Sequence, residues 1–177
     1  MYYVIEKLHQ VKDYKIETLF TAMNLADRYL AKLAESQTKA PCLVALGVTT
    51  LLMAAKIEEP ISPSFERMVG LLKKYDITNI SKRILLDQEE QVILKLDFHL
   101  RDVSSIQFLE RYLRLFGIDT RVKDQLREVV LLAYRLCTHQ LGKAQFLSFK
   151  PTQQAAAATL LAINICLSPT AKVTPLK

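Results

Sequence analysis

The stretch LVALGVTTLLMAAKIEEP, residues 43–60, decides the fold. Until Lys56 its only polar side chains are two threonines, so the apolar run is 13 residues long with no strand-like alternation. Such a run reads as a helix that is apolar almost all round, which is stable only as a rod with other helices packed about it. Gly47, in its middle, costs about 1 kcal/mol of helix propensity, which close approach of a crossing helix offsets. Pro41 suits the first position of this helix, and Glu58-Glu59-Pro60 end it. The run is well short of the ~20 residues needed to span a bilayer.

Helical spacing continues on both sides of the rod. Residues 2–11 carry Val4, Ile5, Leu8 and Val11, and residues 15–34 carry Leu19, Ala22, Met23, Ala26 and Leu30. Beyond the rod, Ser62-Pro63 read as the cap and first turn of a fourth helix to about residue 75. Thr78 to Ser81 open a fifth, to about 97, with Ile84, Leu85, Val92, Ile93 and Leu96 on its apolar side. Ser104 and Gln107 form a capping-box pattern for a sixth, to about 117. A seventh covers about 120–141, and Pro151 begins an eighth that ends before Pro169. Only four residues of 177 are glycine, against an average near 7%. The fold class is all-α.

The third and eighth helices both begin with proline, with Gly47 opposite Ala157. The helices before them share Leu25-Ala26-x-Arg28 and Leu132-Ala133-x-Arg135. Two copies of one helical unit, each around an apolar rod, is the simplest explanation, the second stopping after its third helix. Chance likeness between leucine-rich helices is the other.

The net charge of +6 is unevenly spread, since residues 118–177 hold eight Lys or Arg against three Asp or Glu. Cys42, Cys137 and Cys166 are far apart with no metal spacing, which predicts reduced, buried thiols in an intracellular protein. The first fifteen residues mix both charges and do not read as a signal peptide. His9, His99 and His139 share no spacing with a nucleophile, and no glycine-rich phosphate loop or GxSxG is present. The chain is therefore not expected to be an enzyme, to take a cofactor or metal, or to act on a small molecule.

Three charges fall on apolar faces. Lys56 follows Leu52 and Met53 by one turn, Glu89 interrupts the apolar side of the fifth helix, and Asp27 lies among Met23, Leu30 and Ala31. Burying such a charge alone costs several kcal/mol, so each must be paired or reach water at an edge. Lys56 could complement its helix C-terminus, and Glu89 could occupy a rim. Alternatively, both border one surface and bond a partner there. Spacing does not choose.

The segments ETLFTAMNLADRYL (17–30), LVALGVTTLLMAAKIEEP (43–60) and EEQVILKLDFHL (89–100) resemble the cyclin box. SSIQFLERYL (104–113) is similar to the opening of a second box, and FLSFKPTQQAAAATLLAIN (146–164) to the approach to its central helix. The resemblance implies a cyclin fold, mitotic A/B-like. A five-helix first box would occupy residues 1–103, and a partial second box of about three helices residues 104–177. It implies a regulatory subunit that docks on the C-helix of a cyclin-dependent protein kinase and activates it in cell-cycle control. Lys56 and Glu89 would hydrogen-bond the kinase, with Met53, Ile57, Ile93, Phe98 and Leu100 as apolar contacts. Cys166 stands where the second copy would place the counterpart of Lys56.

Departures from the family pattern carry expectations too. Nothing matches its M-R-x-I-L motif, whose arginine pairs with the aspartate corresponding to Asp27. Asp27 is therefore expected to lack its usual partner, and docking of substrates on that motif is not expected. The alternative reading is a transcription initiation factor of the IIB type binding DNA, which the basic last third favours. Neither zinc-ribbon cysteines nor the motif order support it, so nucleic acid is not the expected partner. A cyclin-fold adaptor that activates nothing is a third reading.

Overall fold

The computed structural model describes residues 1–39, 41–118 and 124–167. The expected beginning of the seventh helix and the expected limit of the eighth at Pro169 lie outside the described residues, as does part of the basic last third. The chain divides into two compact units, Met1–Asp102 and from Val103 onward. Among the described residues all regular structure is helical, in agreement with the all-α reading.

The first unit holds α1 (Tyr2–Lys12), α2 (Ile16–Glu35), α3 (Leu43–Glu58), α4 (Phe65–Lys74) and α5 (Lys82–Lys95). α3 is the rod. Every residue from Ala45 to Ala55 is buried, and α1, α2 and α5 pack against it. At Gly47 the crossing element is α1. A methyl group there would sit 3.2 Å from Met1 Cγ and 3.3 Å from both Ile5 Cγ1 and the Met1 carbonyl oxygen. The missing side chain is what lets α1 approach.

Several helix starts differ from expectation by one turn or less. α3 begins at Leu43, because Cys42 accepts the first helical bond from Leu46 N at 2.9 Å and so acts as the cap, leaving Pro41 outside. α4 begins at Phe65 rather than at Pro63. The hydroxyl that reaches a free helix N–H is that of Ser64, which accepts from Arg67 N at 3.3 Å. Ser81 caps α5 in the same way through Ile84 N. Along α5, Leu85 and Val92 are buried, with Leu96 just past its end, but Ile84 is exposed and leaves the expected apolar side. Val11 of α1 is exposed as well.

The second unit holds α6 (Ser105–Leu115), α7 (Asp124–Gln140), a 3-10 turn at Ala144–Phe146 and α8 (Pro151–Leu167). Ser104 precedes α6 as expected, but its side chain makes no capping bond, so the capping box is not formed. α8 packs on α6 and α7. Its buried residues, Ala155, Ala158, Thr159 and Ala162, make a single narrow stripe. It is not a rod covered all round.

The cysteines are free, but only Cys137 is buried, where its thiol meets Ser105 Oγ at 3.4 Å. Cys166 is partly covered, and Cys42, outside the helix it caps, is exposed. The expectation of three buried thiols is corrected. Among the described residues no helix is long and apolar enough to cross a membrane.

Candidate functional site

Two of the three misfit charges meet. Lys56, in the last turn of α3, donates through Nζ to Glu89 Oε1 at 2.6 Å and Oε2 at 2.9 Å, from the middle of α5. The ammonium also lies 4.6 Å from the ring centroid of Phe65, at the start of α4, a cation–π arrangement. Glu89 is only 14% exposed and Lys56 34%, so the pair sits at the boundary of core and solvent. Contact with both carboxylate oxygens restricts rotation of both side chains, which matters more than the modest net energy of a surface pair.

Polar bonds from α5 to α2 back this arrangement. Gln88, next to Glu89, points inward and donates to Tyr29 Oη at 3.3 Å, and Lys95 Nζ donates to Ser36 Oγ at 2.8 Å. Beneath them lies a cluster of Leu25, Tyr29, Leu33, Leu46, Met53, Val92 and Leu96. Met53 belongs to this cluster and is 3% exposed, beneath the other apolar side chains expected at the partner face. Ile93 and Leu100 pack on the same cluster while remaining partly exposed, and Ile57 is also partly exposed.

Phe98 is 71% exposed and stands on an unusual backbone. Asp97 and Phe98 have φ of 50° and 62°, two successive non-glycine residues in the left-handed region, at about 1 kcal/mol or more each. The turn is held by Phe98 N to Ile93 O at 3.0 Å and His99 N to Leu96 O at 2.8 Å. Arg28 Nη2 donates to His99 O at 2.8 Å, and Arg101 Nη2 lies 3.5 Å from Ile57 O and 3.9 Å from Glu58 Oε2. An exposed aromatic ring kept on strained, over-determined backbone is a feature that clusters at functional sites.

Glu58 and Glu59, which the sequence marked only as the end of α3, have a second role. Glu59 Oε1 accepts from Lys15 N at 2.8 Å and Thr18 Oγ1 at 2.5 Å, satisfying the start of α2 from a distant segment. Glu58 Oε1 accepts from Thr21 Oγ1 at 3.0 Å. Together they fasten the end of α3, and hence Lys56, to α2.

Asp27 is not without a partner. The Tyr2 hydroxyl donates to Asp27 Oδ1. Burial raises the Asp27 carboxyl above its ordinary range, with the Tyr2 bond pulling the other way. The Tyr2 phenol is raised as well, by burial first and then by bonding to Asp27. Asp27 thus takes a tyrosine hydroxyl from α1 as its donor, where the resemblance implies an arginine. Arg28, one residue on, turns to the 97–101 segment, and its Nη1 is buried without a hydrogen-bond partner among the described residues.

A helical unit closed about one apolar rod, followed by a second unit built on a similar helix, defines the class: an all-α box protein rather than an up-and-down bundle. The model of the cyclin N-terminal domain matches residues 1–101, and that of the cyclin C-terminal domain residues 103–175. The chain belongs to the cyclin family. It is 31% identical over 149 residues to the G2/mitotic-specific cyclin-B of Dictyostelium discoideum, covering 82% of this chain and 30% of that protein. It is 30% identical over 156 residues to the G2/mitotic-specific cyclin-1 of Medicago sativa, covering 88% and 33%. With human cyclin-A1 the identity is 31% over 153 residues, covering 85% and 30%. The chain thus spans about a third of the length of these relatives.

Proposed function

We propose that this cyclin is a regulatory subunit that binds and activates a cyclin-dependent protein kinase in cell-cycle control. The binding face is the end of α3, the middle of α5 and the 97–101 segment, within a kinase-binding first box of residues 1–103. The observation that carries the reading is the Lys56–Glu89 pair, fixed by contact with both carboxylate oxygens and flanked by Ile57, Ile93, Phe98 and Leu100. It combines rigid charge with apolar area, the combination that makes an interface specific. Similarity to proteins named mitotic cyclins supports the cell-cycle assignment.

The mechanism needs no reacting group on this chain. A kinase that samples inactive and active arrangements is shifted toward the active one by any surface that binds it better. Docking on the kinase C-helix favours its catalytic lysine–glutamate pair and an open activation segment, and the kinase does the chemistry. Such work places the protein inside the cell, in nucleus or cytoplasm, and calls for neither a cofactor nor a membrane.

The test is capture from cell extract with the purified chain, followed by a kinase assay of the recovered material. The expected result is a protein kinase whose activity rises on addition of the chain. Recovery of no kinase, or of one whose activity the chain leaves unchanged, contradicts the proposal.

A further inference from the structure

The segment between α3 and α4 is held by few bonds. Ile61, Ser62 and Pro63 make no hydrogen bond, by backbone or side chain, to any described residue. Ile61 is 80% exposed, and Ser62 is exposed beside it. Pro63 keeps the residue before it out of the helical region, so Ser62 stands on extended backbone. A cavity of about 470 Å³ lies beside this segment, with Lys12 from the last turn of α1, Tyr14, Ser62, Ser64 and Arg67 from the first turn of α4 in its lining. No carboxylate lines it. Glu59 is engaged by Lys15 N and Thr18 Oγ1, and Glu66 by Lys82 and Ser64 Oγ. Asp13, next to Lys12 in the chain, is not part of the lining. The side chains of Lys12 and Arg67 make no ion pair or hydrogen bond with a described residue. Two cations without a counter-charge thus share one cavity with an unbonded hydroxyl.

We propose that Ser62 is a phosphorylation site for a proline-directed protein kinase, and that Lys12 and Arg67 receive the phosphoryl group. The choice between the two serines of the segment follows from their bonds and their neighbours. The Ser64 hydroxyl is already used, accepting from Arg67 N at 3.3 Å and donating to Glu66 Oε2 at 2.9 Å, and phenylalanine follows it. The Ser62 hydroxyl is unbonded and proline follows it. Proline has no N–H, so a kinase cleft that offers no acceptor at that position takes Ser62 and rejects serines followed by other residues. The segment can enter such a cleft without breaking a hydrogen bond of the fold.

In the transfer, Ser62 Oγ attacks the γ-phosphorus of ATP and forms the new P–O bond. The bond from that phosphorus to the β,γ-bridging oxygen breaks, ADP leaves, and the hydroxyl proton passes to the base of the modifying kinase. The product carries a charge of about −1.5 to −2 and three acceptor oxygens. Arg67 can bind two of these oxygens side by side, and Lys12 acts as a point charge. The modified segment would tie the end of α1 to the start of α4, whose first residue, Phe65, carries the ring beside Lys56. The site rests on this cavity and does not depend on the kinase-binding reading.

The test uses the full chain with Ser168→Ala and Thr174→Ala, which removes the other serine or threonine residues followed by proline. It is treated with Mg-ATP and a purified proline-directed kinase that is active in the same buffer on a free Ser-Pro peptide. Peptide mass spectrometry should place one phosphoryl group on Ser62, and Ser62→Ala should take none. The melting temperature should rise by about 2–4 °C on modification. Lys12→Gln with Arg67→Gln should accept the phosphoryl group yet lose most of that rise. A chain left unmodified at Ser62, or modified at Ser64 instead, overturns the site. A melting temperature that does not rise, or that rises equally in the double variant, overturns the role of the two cations.

Discussion

α3 and α8 are alike in sequence and unlike in surroundings. Each is a long, mostly apolar helix, yet α3 is buried over eleven successive residues while α8 hides one stripe and shows its leucines. The difference lies in what packs on them: α1, α2 and α5 on the one, α6 and α7 on the other. An apolar helix states that it must be covered, and only its neighbours state how far that demand is met. The functional consequence is a contrast of roles, with charge and strained backbone presented around a finished core in the first unit and bare apolar surface in the second.

Substitution in the two rods sharpens the contrast most. Leu52→Ala in α3 should cost about 3 kcal/mol or more, the loss of a fully buried side chain plus its cavity. Leu160→Ala in α8, measured in dilute solution, should stay within about 0.5 kcal/mol. Chemical unfolding followed by circular dichroism checks both, and equal losses would break the comparison.

The Asp27–Tyr2 pair comes next. Tyr2→Phe leaves a half-buried carboxylate without its donor, which should cost about 1–2 kcal/mol at neutral pH. The sign of the pH dependence follows from the raised pKa of Asp27. Ionising a carboxyl whose folded pKa lies above its unfolded value costs stability, and the cost is relieved as pH falls through the folded value. Loss of the Tyr2 bond raises that pKa further, so the deficit of the variant should shrink on acidification. A deficit that grows toward acid would refute this account of the pair.

Phe98→Gly gives the smallest effect and the most pointed one. Glycine adopts the left-handed backbone freely, so after its extra unfolded-state entropy the change should stabilise the fold by roughly 0.5 kcal/mol. Loss of the exposed ring should at the same time weaken kinase binding. Stability and binding both falling together would mean that the ring supports the fold rather than the interface.

Much of this was legible in the sequence because it is periodic. The rod, the sequence of helices and the three charges that fall on apolar faces all show as departures from, or agreement with, a 3.6-residue repeat. What escaped depends on contacts far apart in the chain. Tyr2 is ambivalent between core and solvent, and its carboxylate partner is 25 residues away. Glu59 looks like a helix terminator until the start of α2 is placed beside it. The left-handed Asp97–Phe98 turn has no glycine or asparagine to announce it, and the cap read at Ser62 falls instead to Ser64, whose hydroxyl meets Arg67 N.

The central claim is that Lys56 and Glu89 act on a kinase and not merely on each other. Kinase activation by Lys56→Glu, by Glu89→Lys and by the double exchange separates the two roles. Each single change should lower activation roughly 10-fold or more, the scale of a lost charged contact at an interface, with helix content unchanged. The double exchange restores an internal ion pair with its charges transposed, and activation should remain low because the kinase still meets the wrong sign at each position. Full recovery of activation in the double exchange, or no loss in either single variant, would contradict the account.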